Sequence, residues 1–155
     1  SLRYEAAAVG EVNVVVKMKE IGAVIGGEGN GGIIYPELHY GRDSLVGIAL
    51  FLSHLAHKNT SMTTLRASYP NYVISKNKID LAPTTNVDDI LVQMAKKYAA
   101  NEVDTTDGVK IYIEKEWVHL RKSNTEPIIR IYAESASEEK ATDLALRIIE
   151  EIKAF

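Results

Sequence analysis

Three short segments near the end of the chain set the strongest limit on its fold. Residues 109–113, 117–121 and 128–134 each alternate apolar and polar side chains with period two, the pattern of a half-buried strand. The links between them, 114–116 and 122–127, are far shorter than the dozen or so residues that a parallel crossover needs. The segments must therefore form an antiparallel meander, and its apolar side needs a cover. The helix predicted over 137–153 can supply one, with Ala141, Leu144, Ala145, Ile148 and Ile152 on one stripe and Glu138 and Glu139 in the first turn.

Upstream, residues 72–81 read as a further strand that Pro83 ends, and Asn86 caps a helix carrying Val87, Ile90, Leu91, Met94, Ala95 and Tyr98 that ends near 101. A short helix is expected over 62–67. This half is predicted to be an α+β domain, a four-stranded antiparallel sheet packed by helices. The earlier half reads differently. A helix is predicted over 11–20 with Gly22 as its cap, then a brief strand at 23–25, a glycine loop at 26–32 and an extended run at 33–36. A second helix over 43–57 follows, capped by Asp43, with Leu45, Ile48, Ala49, Leu52, Leu55 and Ala56 as one apolar face. This half is expected to be part of an α/β domain, a mixed sheet with helices. The polar stretch 58–61 is rich in turn formers and sets the expected boundary, giving domains 1–59 and 60–155.

Composition narrows the function classes. The 155 residues contain no cysteine, which excludes a disulfide scaffold, a thiolate nucleophile and a sulfur-ligated zinc site. A net charge of −3 with acids and bases interspersed lacks the basic stripe that nucleic acid requires, so no nucleic-acid partner is expected. The apolar runs are far shorter than the ~20 residues of a membrane span, and no signal pattern opens the chain, so neither membrane association nor export is expected and the expected setting is cytoplasmic. The chain opens at Ser1 without an initiator methionine and is read as a piece of something longer.

Two constellations can carry chemistry. Gly27-x-Gly29-x-x-Gly32 matches the dinucleotide fingerprint by letter, but that fingerprint needs a helix to begin among its glycines. Here Ile33 to Pro36 continue extended. No Lys-Ser or Lys-Thr follows to make a P-loop. What remains is a loop bearing only the Glu28 carboxylate and the Asn30 amide as side chains, which suits sugar hydroxyls as readily as it suits a plain solvated turn.

The other constellation is the hairpin from Arg121 to Pro127, with Arg130 beyond it. If Val118, Leu120, Ile129 and Ile131 face the core, alternation turns Arg121 and Arg130 to the opposite face and Lys122 away from them. Ser123, Asn124 and Thr125 add two hydroxyls, an amide and a run of backbone N–H groups able to form an anion nest. A phosphate site and an ordinary polar hairpin both fit these residues. His54 and His57, one turn apart with no third ligand, read as solvated helix residues, and His119 shares the face of Arg121. Asp104 and Asp107 read as turn residues, and Tyr98, Tyr112 and Trp117 as packing residues.

With these residues in hand, the chain resembles the α-D-phosphohexomutases: phosphoglucomutases, phosphomannomutases and phosphoglucosamine mutases. Gly27-Glu28-Gly29-Asn30-Gly31 is similar to the sugar-binding loop of the family's third domain. Arg121-x-Ser123-Asn124-Thr125-Glu126-Pro127 is similar to the phosphate-binding loop of its fourth. Val9-Gly10-Glu11, Gly41-Arg42-Asp43 and the last helix also read as family features.

The resemblance implies a four-domain enzyme that moves a phosphoryl group between C1 and C6 of a hexose through a phosphoserine, with Mg²⁺ bound and a hexose 1,6-bisphosphate as intermediate and activator. It implies a TATA-binding-protein-like last domain and a third domain lacking its opening strand and helix. No Ser-His-Asn-Pro loop and no Asp-x-Asp-x-Asp-Arg loop occurs in these residues, so the partners expected are a phosphorylated hexose and the N-terminal domains of the same chain, and catalysis by these residues alone is not expected. By carry-over, Glu28 accepts from the sugar's 3- and 4-hydroxyls with Gly29, Asn30 and Gly31 beside it, and Arg121, Ser123, Asn124, Thr125 and Arg130 hold the phosphate that is not reacting. Asn30 stands where the commoner loop has serine, and Ala6-Ala7-Ala8 where many members carry a basic residue and a threonine. Glucose and mannose are the expected sugars. A phosphoglucosamine mutase, or a non-catalytic phosphosugar-binding module, is the alternative.

Overall fold

The computed structural model describes residues 3–82, 85–123 and 126–155. The chain divides into two compact units, Ser1–Pro70 and Asn71–Phe155.

In the first unit, helix α1 (Glu11–Ile21) ends at Gly22, whose left-handed backbone turns its N–H back to the Met18 carbonyl. A two-stranded antiparallel ribbon follows, β1 (Gly26–Gly27) paired with β2 (Ile33–Ile34). The strand expected at 23–25 does not form there. Val24 and Ile25 are exposed, and pairing begins at the glycines instead. The ribbon passes close under α1 there: a Cβ at position 26 would lie 2.2 Å from the sulfur of the buried Met18, so a larger residue would have to displace that side chain. Helix α2 (Ser44–Lys58) starts at Asp43, whose carboxylate accepts from the Leu45 and Val46 N–H groups. Helix α3 (Met62–Ala67) starts at Ser61. The α2 stripe is not a core face within this unit: Leu45 is 76 % exposed and Ile48 and Leu52 are more than half exposed. A ribbon of two-residue strands, rather than the mixed sheet expected, is too small to cover a four-turn helix.

The second unit holds a five-stranded antiparallel sheet in the order β3-β7-β6-β5-β4. Its strands are β3 (Val73–Asp80), β4 (Glu102–Asp104), β5 (Val109–Ile113), β6 (Glu116–Lys122) and β7 (Ile128–Ser135). Strands β5, β6 and β7 form the meander that the short links require. The α+β reading holds with one strand more than expected, because the three residues of β4 pair with β5 along one edge. Helix α4 (Val87–Lys97) is capped by Asn86, and α5 (Glu138–Lys153) by Ser137. Both lie on one face of the sheet, α5 on β3, β7 and β6 and α4 on β5 and β6. Between them Met94, Ile111, Val118, Leu120, Ile129, Ile131 and Ile148 are fully buried. The alternation that buries these residues turns their neighbours on the strands to the opposite face. No helix among the described residues is long and apolar enough to cross a membrane.

Candidate functional site

In the first unit the glycine loop is closed by its own backbone. The Glu28 N–H donates to the Gly32 carbonyl at 2.9 Å, and the Gly31 N–H to the Glu28 carbonyl at 3.1 Å. The Asn30 side-chain oxygen accepts from the Gly32 N–H at 3.0 Å. Its acceptor is thus partly engaged, which leaves the amide NH₂ as the group to offer a ligand. Glu28 is largely buried at its side chain and lies 3.6 Å from the Arg42 guanidinium. Arg42 in turn donates from its backbone N–H and its Nε to the two carboxylate oxygens of Glu11. Those bonds, the backbone one foremost, hold the Glu11 carboxyl below the usual carboxylate range. Glu28, Gly29 and Asn30 line a cavity of about 700 Å³ whose walls include the 6–8 alanine run and Met18. It is a largely apolar pocket with a few polar groups at one side, the ordinary composition of a small-molecule site.

In the second unit Arg121 on β6 stands directly opposite Arg130 on β7. Leu120, Ile129 and Ile131 are buried and, as the alternation predicts, both arginines lie on the face away from the helices. Lys122 points the other way, to Asp88 in the first turn of α4 at 2.7 Å. Ser123 is buried at 7 % exposure, and its N–H is taken up by the Ile128 carbonyl at 3.1 Å. That donor closes the hairpin base, so the nest drawn from the sequence has one member fewer. Asn124 and Thr125 lie outside the described residues.

Sequence reasoning missed Asp107 as part of this constellation. Its carboxylate lies 3.0 Å from Arg121 Nε, and its carbonyl is in hydrogen-bond contact with His119 Nε2. His119 is therefore a tie between the 104–108 turn and β6. The same turn is fixed by Asp104, whose carboxylate accepts from the Thr106 hydroxyl and N–H, bonds that lower its pKa. The one signal in the sequence was Asp107 before Gly108, which marks a turn without saying what it touches.

Two arginine forks on adjacent strands with a buried serine at the hairpin base can take a dianion through several charge-assisted hydrogen bonds. Neither constellation holds a metal: among the described residues no cluster of three or more His, Asp or Glu side chains is placed to bind one. These residues do not fit Mg²⁺.

Known proteins align with this arrangement. The family model described as "Phosphoglucomutase/phosphomannomutase, alpha/beta/alpha domain III" matches residues 1–72, and that described as "Phosphoglucomutase/phosphomannomutase, C-terminal domain" matches residues 80–151. A "Phosphoglucosamine/phosphogalactosamine mutase" of Sulfurisphaera tokodaii is 38% identical over 93% of this chain and 32% of its own length. A "Phosphoglucomutase/phosphomannomutase" of Thermococcus kodakarensis is 35% identical over 92% of this chain, again 32% of its own length. The crystal structure of a phosphoglucomutase/phosphomannomutase family protein from Burkholderia thailandensis superposes with a TM-score of 0.71 at 25% identity, over 94% of this chain and 32% of that one. The chain thus spans about a third of the length of the curated relatives it matches.

Proposed function

The chain belongs to the phosphoglucomutase/phosphomannomutase family, and on that premise we propose that it is the sugar- and phosphate-binding part of a cytoplasmic phosphohexomutase, which interconverts hexose 1-phosphate and hexose 6-phosphate. The observation that carries this reading is the pairing of Arg121 with Arg130 across β6 and β7 beside the Ser123 hairpin. Like charges directly opposite destabilise a sheet; Asp107 already offsets Arg121, and a bound phosphate dianion would offset Arg130 as well.

The division of labour follows from what these residues offer. Arg121, Arg130 and the hairpin 123–125 hold the phosphate that is not reacting. Glu28 accepts hydrogen bonds from sugar hydroxyls, and the Asn30 amide donates to them, so the ring is oriented from its far side. Such remote binding turns into orientation at the reacting oxygen. In this reading other domains of the same protein supply a phosphoserine, which gives its phosphoryl group to the free hydroxyl and receives the other one back from the bisphosphate. Mg²⁺ belongs with that half.

For the sugar we place a 2-amino-2-deoxyhexose ahead of glucose and mannose, because the Sulfurisphaera relative, at 38% identity, is named for amino-hexose phosphates. The Thermococcus relative, at 35%, keeps glucose and mannose as the second reading.

The test is an NMR titration of the isotope-labelled chain with glucosamine 1-phosphate, glucose 1-phosphate and inorganic phosphate at fixed low salt. All three are expected to shift amides in 119–131, and the preferred sugar ester to shift 28–32 as well. Arg121→Ala should weaken phosphate-ester binding by about 1–3 kcal/mol. Unchanged binding in that variant would reduce the hairpin to ordinary surface.

A further inference from the structure

The register of the sheet carries the basic row one strand further. Arg130 has two direct neighbours, Arg121 on β6 and Lys78 on β3. Lys78 alternates with Ile79, which is buried, so its side chain lies on the same open face as both arginines. Three cationic side chains thus stand in line across three adjacent strands, about 10 Å from end to end, with Arg130 in the middle.

This row differs from the next one along the sheet. There Lys76 lies over the Tyr132 ring and Lys110 over the Tyr112 and Trp117 rings, so each cation already has a π-face against it. In the Lys78 row two carboxylates serve three cations. Asp107 pairs with Arg121, and Asp80 lies 3.5 Å from Lys78 with both side chains more than half exposed. Among the described residues the Arg130 guanidinium has neither an ion pair nor a hydrogen bond. The surplus positive charge sits over β7, at the centre of the row.

We propose that Lys78 is a third cation of the phosphate site, so that the bound phosphoryl group lies over Arg130 with Arg121 reaching it from β6 and Lys78 from β3. This rests on the reading of Arg121 and Arg130 as phosphate-binding residues. Geometry favours that placement: directly opposed residues on neighbouring strands have Cβ atoms about 5 Å apart, and long flexible stems let Lys78 and Arg121 converge on a group held above the strand between them. Lys78 works as a point charge with three rotatable donors, so it adjusts to either orientation of a ligand whose two ends must take turns at this site.

The experiment uses the whole chain and inorganic phosphate as the probe, read by amide shifts at fixed low salt. Variants are Lys78→Gln, Lys78→Arg, Lys76→Gln and Arg121→Ala. Lys78→Gln is expected to keep the amide spectrum of a folded second unit and weaken phosphate binding about 3- to 10-fold. Lys78→Arg should restore most of the loss, and Lys76→Gln should bind as the parent does. If Lys78→Gln binds as tightly as the parent while Arg121→Ala is weakened, the proposal falls and the two-arginine site stands. If Arg121→Ala also binds unchanged, or the parent shows no shift in 119–131 at millimolar phosphate, both fall together.

Discussion

Arg121 and Asp107 are joined at 3.0 Å because Gly108 lets the turn that carries Asp107 press against the backbone of β6. A Cβ at position 108 would stand 2.2 Å from the Leu120 carbonyl oxygen and 3.2 Å from the Arg121 Cα, and Gly108 has a φ of +79°. Gly108→Ala therefore meets two penalties, a left-handed backbone and a clash with main chain that cannot rotate away. It is expected to destabilise the second unit by about 2–3 kcal/mol in urea unfolding. Phosphate binding should weaken as well, since the turn that holds Arg121 is displaced. A variant as stable as the parent would mean the turn has room that the geometry denies.

The opposite sign is expected at Glu114. It lies in the β5–β6 turn with a φ of +56°, a conformation glycine adopts freely and glutamate does not. Glu114→Gly should stabilise the second unit by about 0.5–1 kcal/mol, the left-handed penalty relieved less the entropy glycine adds to the unfolded chain. Denaturant midpoints of the two proteins at equal m-value measure it directly.

The first unit carries a pH signature. The Glu11 carboxyl is held below its ordinary pKa by the Arg42 backbone N–H, and by the Arg42 side chain. A depressed folded-state pKa contributes stability that is present above the unfolded value and lost as pH falls through the folded one. The first unit should thus loosen in the acid range, below the ordinary carboxylate pKa. Amide exchange in 26–32 is expected to quicken there, because Arg42 also neighbours Glu28. In Glu11→Gln the acid dependence should flatten. An unchanged profile would place the acid-labile contact elsewhere.

What was legible in the sequence was local, and what was not depends on which strands become neighbours. Asp43 and Asn86 announced their helices because a cap is written within three residues of its target. Alternation gave the face on which Arg121 and Arg130 lie. It did not give the neighbour: β3 pairs with β7, about 50 residues later, so the line from Lys78 to Arg121 exists only in the assembled sheet. Asp107 was hidden for the same reason, since its contact depends on how β5 registers with β6. Strand β4 was missed because Glu102, Val103 and Asp104 are too few to show a period. The α2 stripe misled in the other direction, because apolar periodicity says that a helix seeks cover without saying that this unit contains it. Trp117 was read as packing, yet its indole N–H also donates to Glu134 across β6 and β7 at 2.8 Å.

The helix layer offers the last test. Tyr98, just past the end of α4, donates its hydroxyl to the Glu151 carboxylate of α5 at 3.0 Å, and Lys97 reaches the same carboxylate at 3.1 Å. Burial, and then the bond to Glu151, raises the Tyr98 pKa above its ordinary value. A raised folded-state pKa contributes stability that is complete below the unfolded value near 10 and fades as pH climbs through the folded one. Tyr98→Phe keeps the packing and removes only the donor, so it should cost about 1 kcal/mol at neutral pH. The parent's loss of stability above pH 10 should also shrink in the variant. Equal denaturant midpoints at pH 7 would show that Lys97 alone satisfies Glu151, and that α4 and α5 are held on the sheet by the apolar core that includes Met94 and Ile148 without help from the hydroxyl.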